Sequence, residues 1–172
     1  MSANQSRADA ISEAERTLAQ ACSQLSDVWK HDNIELHHGS HRTDESEEAN
    51  EFMEQISALL GQLHDLCSIM NKMEDDAMKL AEYYKGYDLL NVNTSEYFSE
   101  MIDSAQQKIE SLRAQAEEVE SAFQRLIANG RIDKSFGQNY QSFTDYNEYL
   151  DVAERALRDY QSALSRTGKI TL

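Results

Sequence analysis

The sequence predicts an all-α fold: four long antiparallel helices in a coiled-coil-like bundle, with the hairpin of helices two and three projecting beyond the body. Three observations predict it. Phe52, Ile56, Leu59, Leu63, Leu66, Met70, Met73, Ala77, Leu80, Tyr84 and Tyr87 step by four and three without a slip, which keeps one apolar seam on one side of a helix. The 172 residues include no proline, the residue that costs about 3 kcal/mol inside a helix and usually punctuates loops. Apolar residues make up 40% of the chain, an ordinary globular share rather than that of a disordered acidic tail. No composition shift marks a second domain, so residues 1–172 read as one helical bundle.

Helix one is expected over residues 6–30. Ile11, Ala14, Leu18, Ala21, Leu25 and Val28 carry its seam, Ser6 is a suitable N-cap, and Lys30 and His31 place positive charge at the C-terminal end of the helix dipole. Residues 31–43, HDNIELHHGSHRT, read as a mobile loop. Asp44, Glu45, Glu47, Glu48, Glu51 and Glu54 then open helix two, where unsatisfied N–H groups favour carboxylates. This helix is expected over 44–88, with Gly61 on its solvent side.

Asn93 with Glu96 resembles a capping box ahead of helix three, expected over 94–129. Its seam is Phe98, Ile102, Ala105, Ile109, Leu112, Ala116, Val119, Phe123 and Leu126, and Asn129-Gly130 is a left-handed stop signal. Helix four, expected over 137–167, carries Phe143, Tyr146, Leu150, Ala153, Leu157, Tyr160 and Leu164.

The width of each apolar stripe bears on how many neighbours a helix has. Met53, Leu60 and Cys67 widen the first half of helix two, and Cys22 and Trp29 widen helix one. Between Glu74 and Glu82 the flanks are mostly polar, a narrow stripe that a single partner helix can cover. These widths predict a four-helix body around residues 52–70 and a narrower arm over 71–87, with helix one too short to reach the far half of helix two.

The formal charge of −15 and a pI near 4.6 disfavour nucleic acid and anionic lipid as partners, because phosphate is neutralised by clustered Lys and Arg. A basic protein is the compatible partner, and a homo-oligomer through the hairpin would also cover an exposed seam. No stretch approaches the roughly 20 apolar residues of a membrane span. Met1–Arg7 lacks the apolar run of a signal peptide, so cytoplasmic residence is expected, with signal-less secretion also compatible. Cys22 and Cys67 flank the seams of two helices and read as reduced core residues; a disulfide tying the first two helices is the alternative.

No enzyme is expected, and no cofactor. Paired carboxylates lack a buried base, and no glycine-rich phosphate loop, nucleophile elbow or cation-coordinating loop occurs. Cys67 and His64 are three apart and could mimic a nucleophile and base, but a thiol against the core is inert. His37, His38 and His41 are weak metal candidates, since adjacent histidines in a polar segment read first as solvated. Met70 and Met73 occupy seam positions and read as core gap-fillers.

The partner-binding candidates lie at the hairpin tip: Tyr83, Tyr84, Tyr87, Leu89, Leu90, Tyr97 and Phe98. Aromatic residues at an exposed end are typical anchors for protein binding, and the competing reading is that they close the end of the hairpin. Tyr84-Lys85-Gly86 near a helix–helix turn partly resembles the Trp-x-Gly turn of small helical-hairpin proteins exported by type VII systems. The tryptophan is absent and four helices are expected where that family has two.

The expectation is therefore a non-enzymatic helical protein–protein interaction module, an adaptor, chaperone or assembly subunit that binds by helix packing. An acidic inhibitor or immunity-type protein capping a basic enzyme is the first alternative. A helical component or substrate of a specialised secretion system is the second.

Overall fold

The computed structural model describes residues 3–38, 47–86, 95–132 and 145–167, with only the backbone described at residues 3, 4, 37, 38, 95–97, 166 and 167. Four helices fill these segments: α1 (Ala3–His38), α2 (Glu47–Tyr84), α3 (Ser95–Ala128) and α4 (Tyr146–Thr167). Each packs on two neighbours, α1 on α2 and α4, and α3 on α2 and α4. This closes a four-helix bundle, as the heptad pattern requires. All ten seam residues of α2 from Phe52 to Tyr84 are buried.

Helix ends follow local chemistry. α2 stops at Tyr84 because Gly86 adopts φ 87°, and its N–H donates to the Tyr83 carbonyl at 3.0 Å. The apolar repeat predicts helix on to residue 88, whereas the turn begins at Lys85-Gly86; a left-handed residue here costs glycine nothing. α3 ends in a complete Schellman motif: Gly130, at φ 69°, donates to Ile127 at 3.0 Å and Arg131 donates to Leu126 at 2.8 Å. At the start of α4 the Asp145 carbonyl accepts the N–H groups of Glu148 and Tyr149 at 3.0 and 3.3 Å. Asp145 therefore holds the N-cap position, and residues 137–144 of the expected helix four lie outside the described residues.

α1 departs most from expectation. It continues eight residues past Lys30, through a segment read as a loop. The physical reason is that the seam does not end at Val28. Asp32 takes the next seam position and is buried, Leu36 packs against the core, and no glycine interrupts before Gly39. Residues 39–43 of the expected loop lie outside the described residues.

The extra turns change what α1 covers. At 36 residues it is about 54 Å long, nearly matching the 38 residues of α2. The Arg7 guanidinium lies over the Tyr84 ring, 5.9 Å from its centroid, and Trp29 meets His64 with ring centroids 5.3 Å apart. α1 thus runs antiparallel along most of α2, including residues 71–84.

α4, at 22 residues, is the short helix. Its first residue, Tyr146, meets Asp32 of α1, and its Ala163 lines a groove with Ala10 and Ala14. On its other side Tyr160 is edge-on to Phe98 at 6.3 Å. The four-helix cross-section therefore takes in the second half of α2 and part of the first. Beyond Asp32 the described layer is α1, α2 and α3, where Phe52 stacks on Phe123 at 6.1 Å.

The arm expected over residues 71–87 is thus covered in its described part, residues 71–84. The narrow stripe after Glu74 has three helices around it, because small residues let neighbours approach without apolar flanks: Ala77, Ala81, Ala105, Ala153 and Ala156 are all buried. The described parts of the hairpin, through Gly86 and from Ser95 onward, lie alongside α1 and α4 within the body. Residues 87–94 lie outside the described residues.

Candidate functional site

The seam flanks decide what each helix pair shows to the outside. On α1, residues 15, 22, 29 and 36 repeat every seven; on α2, residues 53, 60, 67 and 74 do the same. The antiparallel register sets these two rows face to face. Glu15 lies beside Glu74 at one end, close enough to help raise its carboxyl. Cys67 lies near enough to Cys22 to help raise its thiol, and Trp29 meets His64; continued by seven, the two rows bring Leu36 to the level of Met53. Cys22, Cys67 and Leu60 are buried, whereas Trp29, Leu36 and Met53 are half-buried. The outer groove of α1 and α2 is thus apolar at one end and acidic at the other.

The matching groove between α2 and α3 is polar. Gln62 donates to Gln115, Ser111 donates to Gln62 Oε1 at 2.7 Å, and Lys108 pairs with Asp65 at 3.8 Å. Between α3 and α4, Arg113 donates to Asp151 at 2.6 Å and to Glu154 at 2.9 Å, with Asn147 Oδ1 at 3.2 Å. These contacts dock helix on helix and leave the apolar end of the α1–α2 groove as the more adhesive face.

At the hairpin end the described aromatic residues pack together. Tyr84 is buried beneath Arg7, Tyr83 is half-buried and edge-on to Tyr84 at 5.3 Å, and Phe98 is buried against Tyr160. Of the described members, Tyr83 therefore offers the accessible ring. Tyr97 sits in the first turn of α3 with its side chain outside the described residues, as are Tyr87, Leu89 and Leu90 entirely. His37 and His38 fall in the last turn of α1, where only backbone is described, and His41 lies outside. Among the described residues, no group of three His, Cys, Asp or Glu side chains is placed to hold a metal ion.

One polar cluster lies outside the candidate residues that the sequence marks. Asp32 is 1% exposed; His31 Nδ1 lies 2.9 Å from its Oδ1, and the buried Tyr146 hydroxyl donates to its Oδ2 at 3.5 Å. The signal was present, since Asp32 continues the seam four residues after Val28. A buried carboxylate is stabilised only when its lone pairs are met, and it favours one register over its neighbours. Here it fixes the level at which α4 begins on α1.

The thiols are chemically quiet. Burial, with lesser contributions from Glu74 and Cys67, pushes the Cys22 thiol up to about 12. Burial likewise pushes Cys67 up to about 11. The His64 ring, three residues from Cys67, is turned to Trp29. A thiol with so little thiolate at neutral pH is a poor nucleophile.

Comparison with known protein families, with curated proteins and with solved structures finds no match. No described helix is long and apolar enough to cross a membrane.

Proposed function

We propose that this chain is a non-enzymatic helical protein–protein interaction module, acting as an adaptor, chaperone or assembly subunit that binds its partner by helix packing. The observation that carries this reading is the half-buried set Trp29, Leu36 and Met53 along the α1–α2 groove. Large apolar residues left half-buried beside two packed helices suit the apolar face of an amphipathic helix, and tryptophan is among the residues enriched as anchors in such surfaces. Ile34, 58% exposed, adds apolar surface near the same end of α1. Tyr83, with Tyr87, Leu89 and Leu90 from the hairpin tip, forms the second proposed contact.

The test is affinity capture from the native lysate with the wild-type chain and two double variants, Trp29→Ala/Met53→Ala and Tyr87→Ala/Leu90→Ala. Loss of a specific partner with either variant, at unchanged helicity, supports packing at that surface. Equal capture by all three chains overturns the proposal. The formal charge of −15 favours one second reading, an acidic inhibitor that caps a basic enzyme. Its association rate would fall steeply with salt, whereas binding through the apolar groove would be nearly salt-independent.

A further inference from the structure

The facing rows of α1 and α2 bring two thiols near one another. Cys22 and Cys67 occupy equivalent flank positions, and two cross-helix contacts bracket them: Arg7 over Tyr84 on one side and Trp29 with His64 on the other. A slip by even one residue would separate Arg7 from Tyr84 and Trp29 from His64 together. Both cysteines are small and buried, at 5% and 8% exposure, so no bulky side chain holds the helices apart at this level. They lie on the edge of the core nearest the outer groove. Both are free thiols in this structure.

We propose that Cys22 and Cys67 form a disulfide that ties α1 to α2 across their outer groove, so that the bundle's stability depends on the redox state around it. The chemistry balances with a small-molecule disulfide as oxidant. One protein thiolate attacks the oxidant's S–S bond, forming a mixed disulfide and releasing one small thiol. The second protein thiolate attacks the protein sulfur of that mixed disulfide and expels the second small thiol. Two protein S–H bonds are lost, one protein S–S bond is gained, and the oxidant is reduced to two thiols.

Burial sets the conditions. The folded thiols carry little thiolate, so exchange in the closed bundle is slow, and the bond forms when the α1–α2 edge opens or while the chain folds. Once formed, it closes the loop from residue 22 to residue 67, which spans the connection between the two helices. A loop of this length restricts the unfolded chain strongly. The expected reading is a thermal midpoint several degrees higher in the oxidised protein.

The test refolds the full chain in oxidised or reduced glutathione, blocks remaining thiols with iodoacetamide, and follows mass, peptide linkage and thermal midpoint. Cys22→Ser and Cys67→Ser serve as single-thiol controls. The proposal expects a monomer without alkylatable thiols and a peptide pair linked through Cys22 and Cys67. It also expects a raised midpoint that dithiothreitol reverses and that both variants lack. It is overturned by two free thiols persisting after oxidative refolding. Glutathione adducts or intermolecular dimers as the only oxidised products, or a midpoint lowered by the bond, overturn it equally.

Discussion

Gly61→Ala should stabilise this protein. Gly61 lies in the middle of α2, and a Cβ built there meets no atom within 4 Å. The substitution therefore adds no clash and removes no contact. Glycine inside a helix is less favourable than alanine by about 1 kcal/mol, because it has more backbone freedom to lose on folding. For a domain of this size a gain of about 1 kcal/mol raises the thermal midpoint by about 2–4 °C. Urea and thermal unfolding followed by far-UV circular dichroism measure both quantities. Gly86→Ala and Gly130→Ala supply the contrast, since both glycines hold positive φ at helix ends. Each should lose about 1–2 kcal/mol from left-handed strain. A midpoint for Gly61→Ala that is unchanged or lowered would refute the reasoning, as would the same sign for all three glycines. The variant also bears on function, because Gly61 is two residues from Leu63 of the core and three from the His64–Trp29 contact. If a partner helix approaches the groove closely there, capture should weaken while stability rises.

Three further outcomes follow from the packing. Leu63→Ala, at a fully buried seam position, should cost about 3–5 kcal/mol through lost burial and the residual cavity, read as a lower urea midpoint. Arg113→Met should cost no more than about 1 kcal/mol, since its partners Asp151 and Glu154 are 57% and 43% exposed, and the loss should shrink as salt rises. Glu74 is held above the ordinary glutamate range by burial, then by Glu15 and Asp75. The folded chain therefore binds that proton more tightly than the unfolded chain. Stability from this site is present at acid pH and is lost as pH rises through the raised value. Glu74→Gln should be more stable than wild type at neutral pH, and its thermal midpoint should lack that part of the pH dependence between neutral pH and the glutamate range; matching pH profiles would contradict this.

Much of the bundle is legible in the residues themselves. The three–four spacing of Phe52 to Tyr84 gives helix and core face at once, because 3.6 residues per turn leaves no other placement for that pattern. Asn129-Gly130 announces the end of α3 because few residues other than glycine tolerate a left-handed turn. Gly86 carries the same signal, but the apolar repeat runs on to Tyr87 and hides where the helix stops. The end of α1 is hidden for the converse reason. Asp32 in a seam reads as a break until the structure supplies Tyr146 and His31 beside it. A carboxylate is expelled from a core only when its hydrogen bonds go unmet, and a sequence does not show who meets them.

By itself the sequence determined the helices, their inward faces and the acidic exterior, because those depend on periodicity and composition along one chain. Only the tertiary structure decided how far each helix slides along its neighbour. That offset is set by pairs distant in sequence: Arg7 with Tyr84, Asp32 with Tyr146, and Arg113 with Asp151 and Glu154. It brings α4 alongside the second half of α2 and leaves Trp29, Leu36 and Met53 half-buried towards the other end. It also brings Cys22 near Cys67. A repeat of seven fits its neighbour equally well after any slip of seven, so heptads alone leave the register free, and the polar and aromatic contacts between helices choose it.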